Sequence, residues 1–145
     1  MKLLNIIKNN LFIQNFVASI VSLIPSYFEF SVAKYLAIKK AMLITAQDNT
    51  RGSYLEFGVF TGSSFNFAMK VNKQIEKLGY GDMDCEFIGF DSFKGFGDVK
   101  KNDEHPNFKD HAFIVNEKKV LRNIEKCAKK QKFRIIKGFY QDTIE

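Results

Sequence analysis

Two carboxylates stand at the ends of short runs of strand-forming residues. Glu56 lies in Ser53-Tyr54-Leu55-Glu56-Phe57, and Asp91 follows Glu86-Phe87-Ile88-Gly89-Phe90. The first run leads directly into Gly58-Val59-Phe60-Thr61-Gly62-Ser63-Ser64, a Gly-bounded loop followed by helix-forming residues. Such a loop offers backbone amides, aided by the helix dipole, to an anionic group. Glu56 can face a cationic group, and Asp91 can accept the hydroxyls of a diol. A third segment, Gly138-Phe139-Tyr140-Gln141-Asp142, follows the run Phe133-Arg134-Ile135-Ile136-Lys137. For proton transfer the candidates are His105 and His111, with Tyr140 and Lys137 behind them. Each residue also has a plainer reading. A strand-end Glu can be satisfied within the fold, an Asp after a strand can cap a turn, and a loop histidine is ordinarily a surface residue.

The elements that must position these groups follow from periodicity. One or two N-terminal helices are expected. Leu4, Ile7 and Leu11 share one helical face, as do Phe16, Ile20 and Leu23, and a second helix spans about Ser31 to Ala46. After the strand at 53–57, Phe65, Ala68, Met69, Asn72 and Ile75 recur at helical spacing, with Ser63 or Ser64 expected as the cap. Gly79 and Gly81 close that helix near Leu78. The second strand spans 86–90 and ends on Asp91. Ser92 to Asn116 reads as loop, Glu117 to Lys130 as a helix burying Val120, Leu121, Ile124 and Cys127 or Ala128, and 133–137 as the third strand. Strand, helix, strand, helix, strand is one half of a doubly wound, Rossmann-like α/β sheet. Right-handed crossovers make its strands parallel. The expected division is a helical segment at 1–50 and the half-sheet at 51–145. The first strand, central in a complete sheet, would lie on an open edge here and invite pairing.

Ligands of such sheets bind at the carboxyl ends of the strands, where the three segments converge. The Gly58–Gly62 loop lacks the middle glycine that lets backbone approach a pyrophosphate, because Phe60 fills that slot. That disfavours a nicotinamide dinucleotide and leaves a nucleoside ligand without phosphates, of which S-adenosylmethionine is one. Its carboxylate suits the helix amides, its ammonium and sulfonium suit Glu56, and its ribose suits Asp91.

With those residues in view, Tyr54-Leu55-Glu56-Phe57-Gly58-Val59-Phe60-Thr61-Gly62-Ser63-Ser64 resembles the first motif of the macrocin O-methyltransferase family, which uses S-adenosylmethionine. Asp91-Ser92-Phe93-Lys94-Gly95-Phe96 is similar to its Asp-Ser-Phe-acidic-Gly-Leu segment, with Lys94 departing at the acidic position. Lys137-Gly138-Phe139-Tyr140-Gln141-Asp142-Thr143-Ile144 resembles the stretch after the third strand. The resemblance runs from about Lys39 onward. It implies a cofactor pocket lined by Glu56, Gly58, Thr61, Gly62, Ser63 and Asp91, with Ser92 close by and Asp142 near the adenine. It also implies a later Asp-x-Asp-x-Tyr segment serving a divalent metal and proton removal. The only Asp-x-Asp here, Asp82-Met83-Asp84, precedes a strand and lacks the Tyr, so no metal ligands are assigned. The chain is therefore expected to be the amino-terminal half of a methyltransferase acting on a small-molecule or sugar hydroxyl. By itself it is expected to bind cofactor weakly and to transfer methyl poorly. Its catalytic base is unassigned.

Composition limits the rivals. The 145 residues carry 46% hydrophobic and 26% charged residues, which suits one globular domain and excludes disorder and collagen-like structure. Cys85 and Cys127 match neither a disulfide framework nor a metal spacing, so both read as core thiols of a reducing, cytoplasmic protein. Nine of the 22 Lys and Arg residues fall between Glu117 and Lys137 with two acids, so that stretch carries +7 of a total of +6. A basic adaptor for nucleic acid or lipid is the nonenzymatic alternative, and half of a nicotinamide-dependent oxidoreductase is the enzymatic one. Without interleaved aromatics the basic stretch is better read as a solvated helix face, and nucleic acid is not expected as a partner. The apolar stretch within residues 1–24 is interrupted by Gln14 and Asn15 and is too short to span a bilayer. Packing on its own domain or on a second subunit is favoured over a membrane surface, and the protein is read as soluble.

Overall fold

The computed structural model describes residues 10–50, 52–80, 84–97 and 113–144, apart from the Tyr27 side chain. Contacts divide the chain into two units, Met1–Leu36 and Ala37–Glu145. In the first, helix α1 (Leu11–Ser22) is capped by Asn10, whose side chain accepts from the amides of Phe12 and Ile13. None of its residues is buried, and Leu11 and Phe12 are 70% and 78% exposed. Helix α2 (Ser26–Gln47) begins directly after Pro25, five residues before the expected start, because proline is well tolerated at a helix entrance. Among the described residues no helix is long and apolar enough to cross a membrane.

The second unit is built on a parallel sheet of β1 (Tyr54–Phe57), β2 (Phe87–Asp91) and β3 (Phe133–Lys137), in the order β1-β2-β3. Register runs from Tyr54 opposite Phe87 to Phe57 opposite Phe90, and from Phe87 opposite Phe133 to Asp91 opposite Lys137. The expected half-sheet is therefore present, with β1 at an edge. Burial follows position. β2 is buried along Phe87–Phe90, whereas β1 alternates and leaves Leu55 and Phe57 half exposed.

Helix α3 (Ser63–Ile75) buries Phe65, Ala68, Met69, Asn72 and Ile75, and helix α4 (Glu117–Ala128) buries Val120, Ile124 and Ala128. Those positions recur every three or four residues, so each helix lays one apolar stripe against the sheet. Phe65, Met69, Phe87 and Ile124 are the centre of the core. Each would cost about 2–5 kcal/mol if cut to alanine. α3 ends at Ile75 and passes into a π-helical turn, Glu76–Tyr80, which breaks at Gly79. One contact leaves no trace in the sequence pattern: the Lys73 ammonium of α3 donates to the Cys127 and Ala128 carbonyls at 2.8 and 3.1 Å, closing the C-terminus of α4. A short helix α5 (Tyr140–Thr143) follows β3, where no helix was expected.

Candidate active site at the carboxyl ends of the strands

The loop from β1 into α3 departs from ordinary backbone at three points. Gly58 and Gly62 have φ of +88° and +77°, and Phe60 has φ of +51°. Gly62 is the N-cap of α3, and its left-handed conformation explains a glycine there. Neither Ser63 nor Ser64 caps this helix, contrary to expectation. Ser63 is already helical and exposed, and the Ser64 hydroxyl donates to Glu56 instead. The first-turn amides consequently meet no capping side chain.

Asp91 binds the loops together. One carboxylate oxygen accepts the Phe60 amide at 2.6 Å and the other accepts the Phe93 amide at 2.7 Å. Phe93, like Phe60, sits at positive φ, +57°. A non-glycine residue held there costs of order 1–3 kcal/mol, and both such residues flanking the strand ends are fastened to the same carboxylate. Each oxygen keeps a lone-pair direction after one such bond, so Asp91 is immobilised but still able to accept. Ser92 is a turn former: its hydroxyl donates to the Gly95 carbonyl and accepts the Lys94 amide. Thr61 and Asp142 are exposed, the latter in α5.

Glu56 lies on the α3 side of the sheet. Its two oxygens accept the Tyr54 phenol at 2.6 Å and the Ser64 hydroxyl at 2.8 Å, tying β1 to the start of α3. These contacts match the plainer reading of a satisfied strand-end residue. Burial first, then the hydrogen bond and charge of Glu56, push the Tyr54 phenol well above its ordinary range. The folded protein thus favours the neutral phenol more than the unfolded chain does. The corresponding stability is complete below the unfolded value of about 10 and is lost as pH rises beyond it. Urea midpoints between pH 8 and 11 should fall above pH ~10 more steeply in the native chain than in Tyr54→Phe. Parallel profiles would remove Tyr54 as the cause.

Lys137, a candidate base, is engaged with the Glu117 carboxylate. His105 and His111 lie outside the described residues, as do Asp82 and Met83, while Asp84 pairs with Lys132 at 2.8 Å. Among the described residues no cluster of three or more His, Cys, Asp or Glu could hold a metal. The basic stretch forms an exposed face, with Lys118, Lys119, Arg122 and Lys126 on α4 and Lys129 and Lys130 after it. A cleft of about 460 Å³ between α2, β1 and α3 is lined by Ile38, Met42, Tyr54, Ile75 and Cys85 among others. It contains none of the expected site residues, so it is not where the three segments converge.

The fold can now be compared with known structures. One, the O-methyltransferase NovP, superposes with a TM-score of 0.59 at 21% identity, covering 76% of this chain and 46% of that one. The chain shares the fold of that part of the structure. CalS11, a calicheamicin methyltransferase, gives a TM-score of 0.57 at 20% identity over 98% of this chain and 57% of its own. The chain thus spans about half the length of these structures. No family model and no curated protein sequence matches it.

Proposed function

We propose that this chain carries the cofactor-binding half of an S-adenosylmethionine-dependent O-methyltransferase, of the kind the macrocin family exemplifies, acting on a small-molecule or sugar hydroxyl. The observation that carries the reading is Asp91 at the tip of β2, fixed against the Gly58–Gly62 loop by the Phe60 amide. In a fold shared with two methyltransferases, that is where a ribose diol would be received. The residues present fit the group. Asp91 retains acceptor capacity for the diol, and the uncapped first turn of α3 offers amides to the carboxylate. Phe60, edge-on to Phe113 at 5.3 Å, fills the place where a dinucleotide would need glycine. When bound, the cofactor supplies an electrophilic methyl group. The chain's own residues bind and orient it, and an acceptor hydroxyl in line with that methyl completes the reactants. The two free thiols, Cys85 and Cys127, are in keeping with a cytoplasmic site of action.

Thermal unfolding with S-adenosylhomocysteine tests this, with NAD as the control. Saturation at 100 times Kd should stabilise the fold by about 2.7 kcal/mol, visible as a rise of several degrees, whereas NAD should leave the midpoint unchanged. A cooperative transition that ignores S-adenosylhomocysteine, or that responds equally to NAD, refutes the reading.

A further inference from the structure

Tyr140 reaches across the sheet. It follows β3, yet its hydroxyl lies 3.5 Å from the point where a Cβ on Gly58, at the end of β1, would stand. β3 and β1 are separated by β2, a span of roughly 10 Å at ordinary strand spacing. Several contacts fix that reach. The Gly138 amide donates to the Asp91 carbonyl at 3.2 Å. The turn at Gly138, with φ of +150°, leaves no room for a side chain, since a Cβ there would meet the Thr143 methyl at 2.6 Å. The Thr143 hydroxyl closes α5 on the Phe139 carbonyl. The Tyr140 ring then meets Phe57 edge-on, with centroids 5.9 Å apart.

The phenol at the end of this hook makes no hydrogen bond to another described residue. Burial first, and then the negative charge of Asp91, raise its pKa, so at neutral pH it is a donor and not a base. Tyr140 is 44% exposed, so water accepts from the phenol in the free chain, and a ligand seated over Gly58 has to replace that water with an acceptor of its own. If the Asp91 carboxylate holds the ribose, the part of the cofactor over β1 is its amino-acid end. That end carries an ammonium, a sulfonium and a carboxylate, and of these only the carboxylate is a good acceptor.

Building on the function proposed above, we propose that the Tyr140 phenol is a cofactor-binding group that donates a hydrogen bond to the cofactor's carboxylate over Gly58. It closes the crevice from the β3 side. A hydrogen bond to a charged partner is the stronger kind, and it belongs to one end of the ligand only.

Calorimetric titration of the native chain and of Tyr140→Phe, each with S-adenosylhomocysteine and with 5′-methylthioadenosine, which lacks the amino-acid end, separates the possibilities. The substitution keeps the ring and its contact with Phe57, and an unchanged melting temperature checks that it does. Tyr140→Phe should lose about tenfold or more in affinity for S-adenosylhomocysteine and nothing for 5′-methylthioadenosine. Equal losses for both ligands, or no loss for either, overturn the proposal and leave the cofactor reading intact. A native chain that binds neither ligand sinks the cofactor reading, and the Tyr140 assignment falls with it.

Discussion

Asp91→Asn should abolish useful cofactor binding and also weaken the fold, and the two effects are separable. The carboxylate accepts one backbone amide on each oxygen. An asparagine keeps one oxygen and turns an NH2 group toward the other amide, so either Phe60 or Phe93 loses its partner. Losing a hydrogen bond to a charged group costs about 1.5–3 kcal/mol. The residue released also sits at positive φ, so the loop can relax to an unstrained conformation that no longer presents the site. In the proposed complex two charge-assisted bonds to the diol are at stake, and the affinity for S-adenosylhomocysteine should fall on the order of 100-fold. Denaturation midpoints give the first quantity and calorimetry on the folded fraction gives the second. A variant that is less stable yet binds with native affinity would make Asp91 a loop staple and nothing more.

The fastening of two loops by Asp91 marks the limit of what the sequence discloses. The alternation in β1, the continuous apolar run of β2 and the three-and-four spacing of α3 and α4 were all legible, because each reports which face of a local element meets the core. The parallel order followed from handedness alone. Contacts between distant residues were not legible in that way. The bond from Phe60 to Asp91 spans 31 positions. Lys73 closing α4 spans more than fifty, and neither leaves a periodic trace. The serines at 63 and 64 illustrate a competing principle. Cap propensity pointed to one of them, but the chain needed a left-handed residue at the cap, and only Gly62 adopts that conformation without cost. Ser64 was then free to bond Glu56. The hook at Tyr140 was missed for a related reason. A four-residue helix has no apolar stripe to reveal it, and its one signal was the glycine at 138, readable only once Thr143 is seen against it.

Gly89 offers a test of the coupling between the core and the site. It lies in the central strand, and a Cβ there would come 2.6 Å from a Val59 methyl, 2.8 Å from the Ile135 Cδ1 and 3.2 Å from the Phe65 ring. Replacing glycine by alanine in a strand would by itself add about 0.4–1 kcal/mol through the unfolded chain. Overpacking a close-fitted core costs about 1–3 kcal/mol, so the clash wins and Gly89→Ala should be less stable. Ile135 meets the new methyl with its flexible end and can turn aside. Val59 is short and only 2% exposed, so it must shift with its backbone. Cutting it to alanine removes the obstruction, at a cost of its own of about 0.8 kcal/mol for each methyl-sized group lost. The double variant Gly89→Ala, Val59→Ala should therefore be more stable than the sum of the single losses allows, with a coupling of about 1 kcal/mol or more. Urea midpoints at unchanged m-value measure it, and strict additivity would show that Val59 is not what the methyl strikes. Val59 is also the residue between Gly58 and Phe60. A shift there carries the Phe60 amide away from Asp91, so Gly89→Ala should weaken S-adenosylhomocysteine binding although residue 89 touches no ligand, and the second substitution should restore part of that loss.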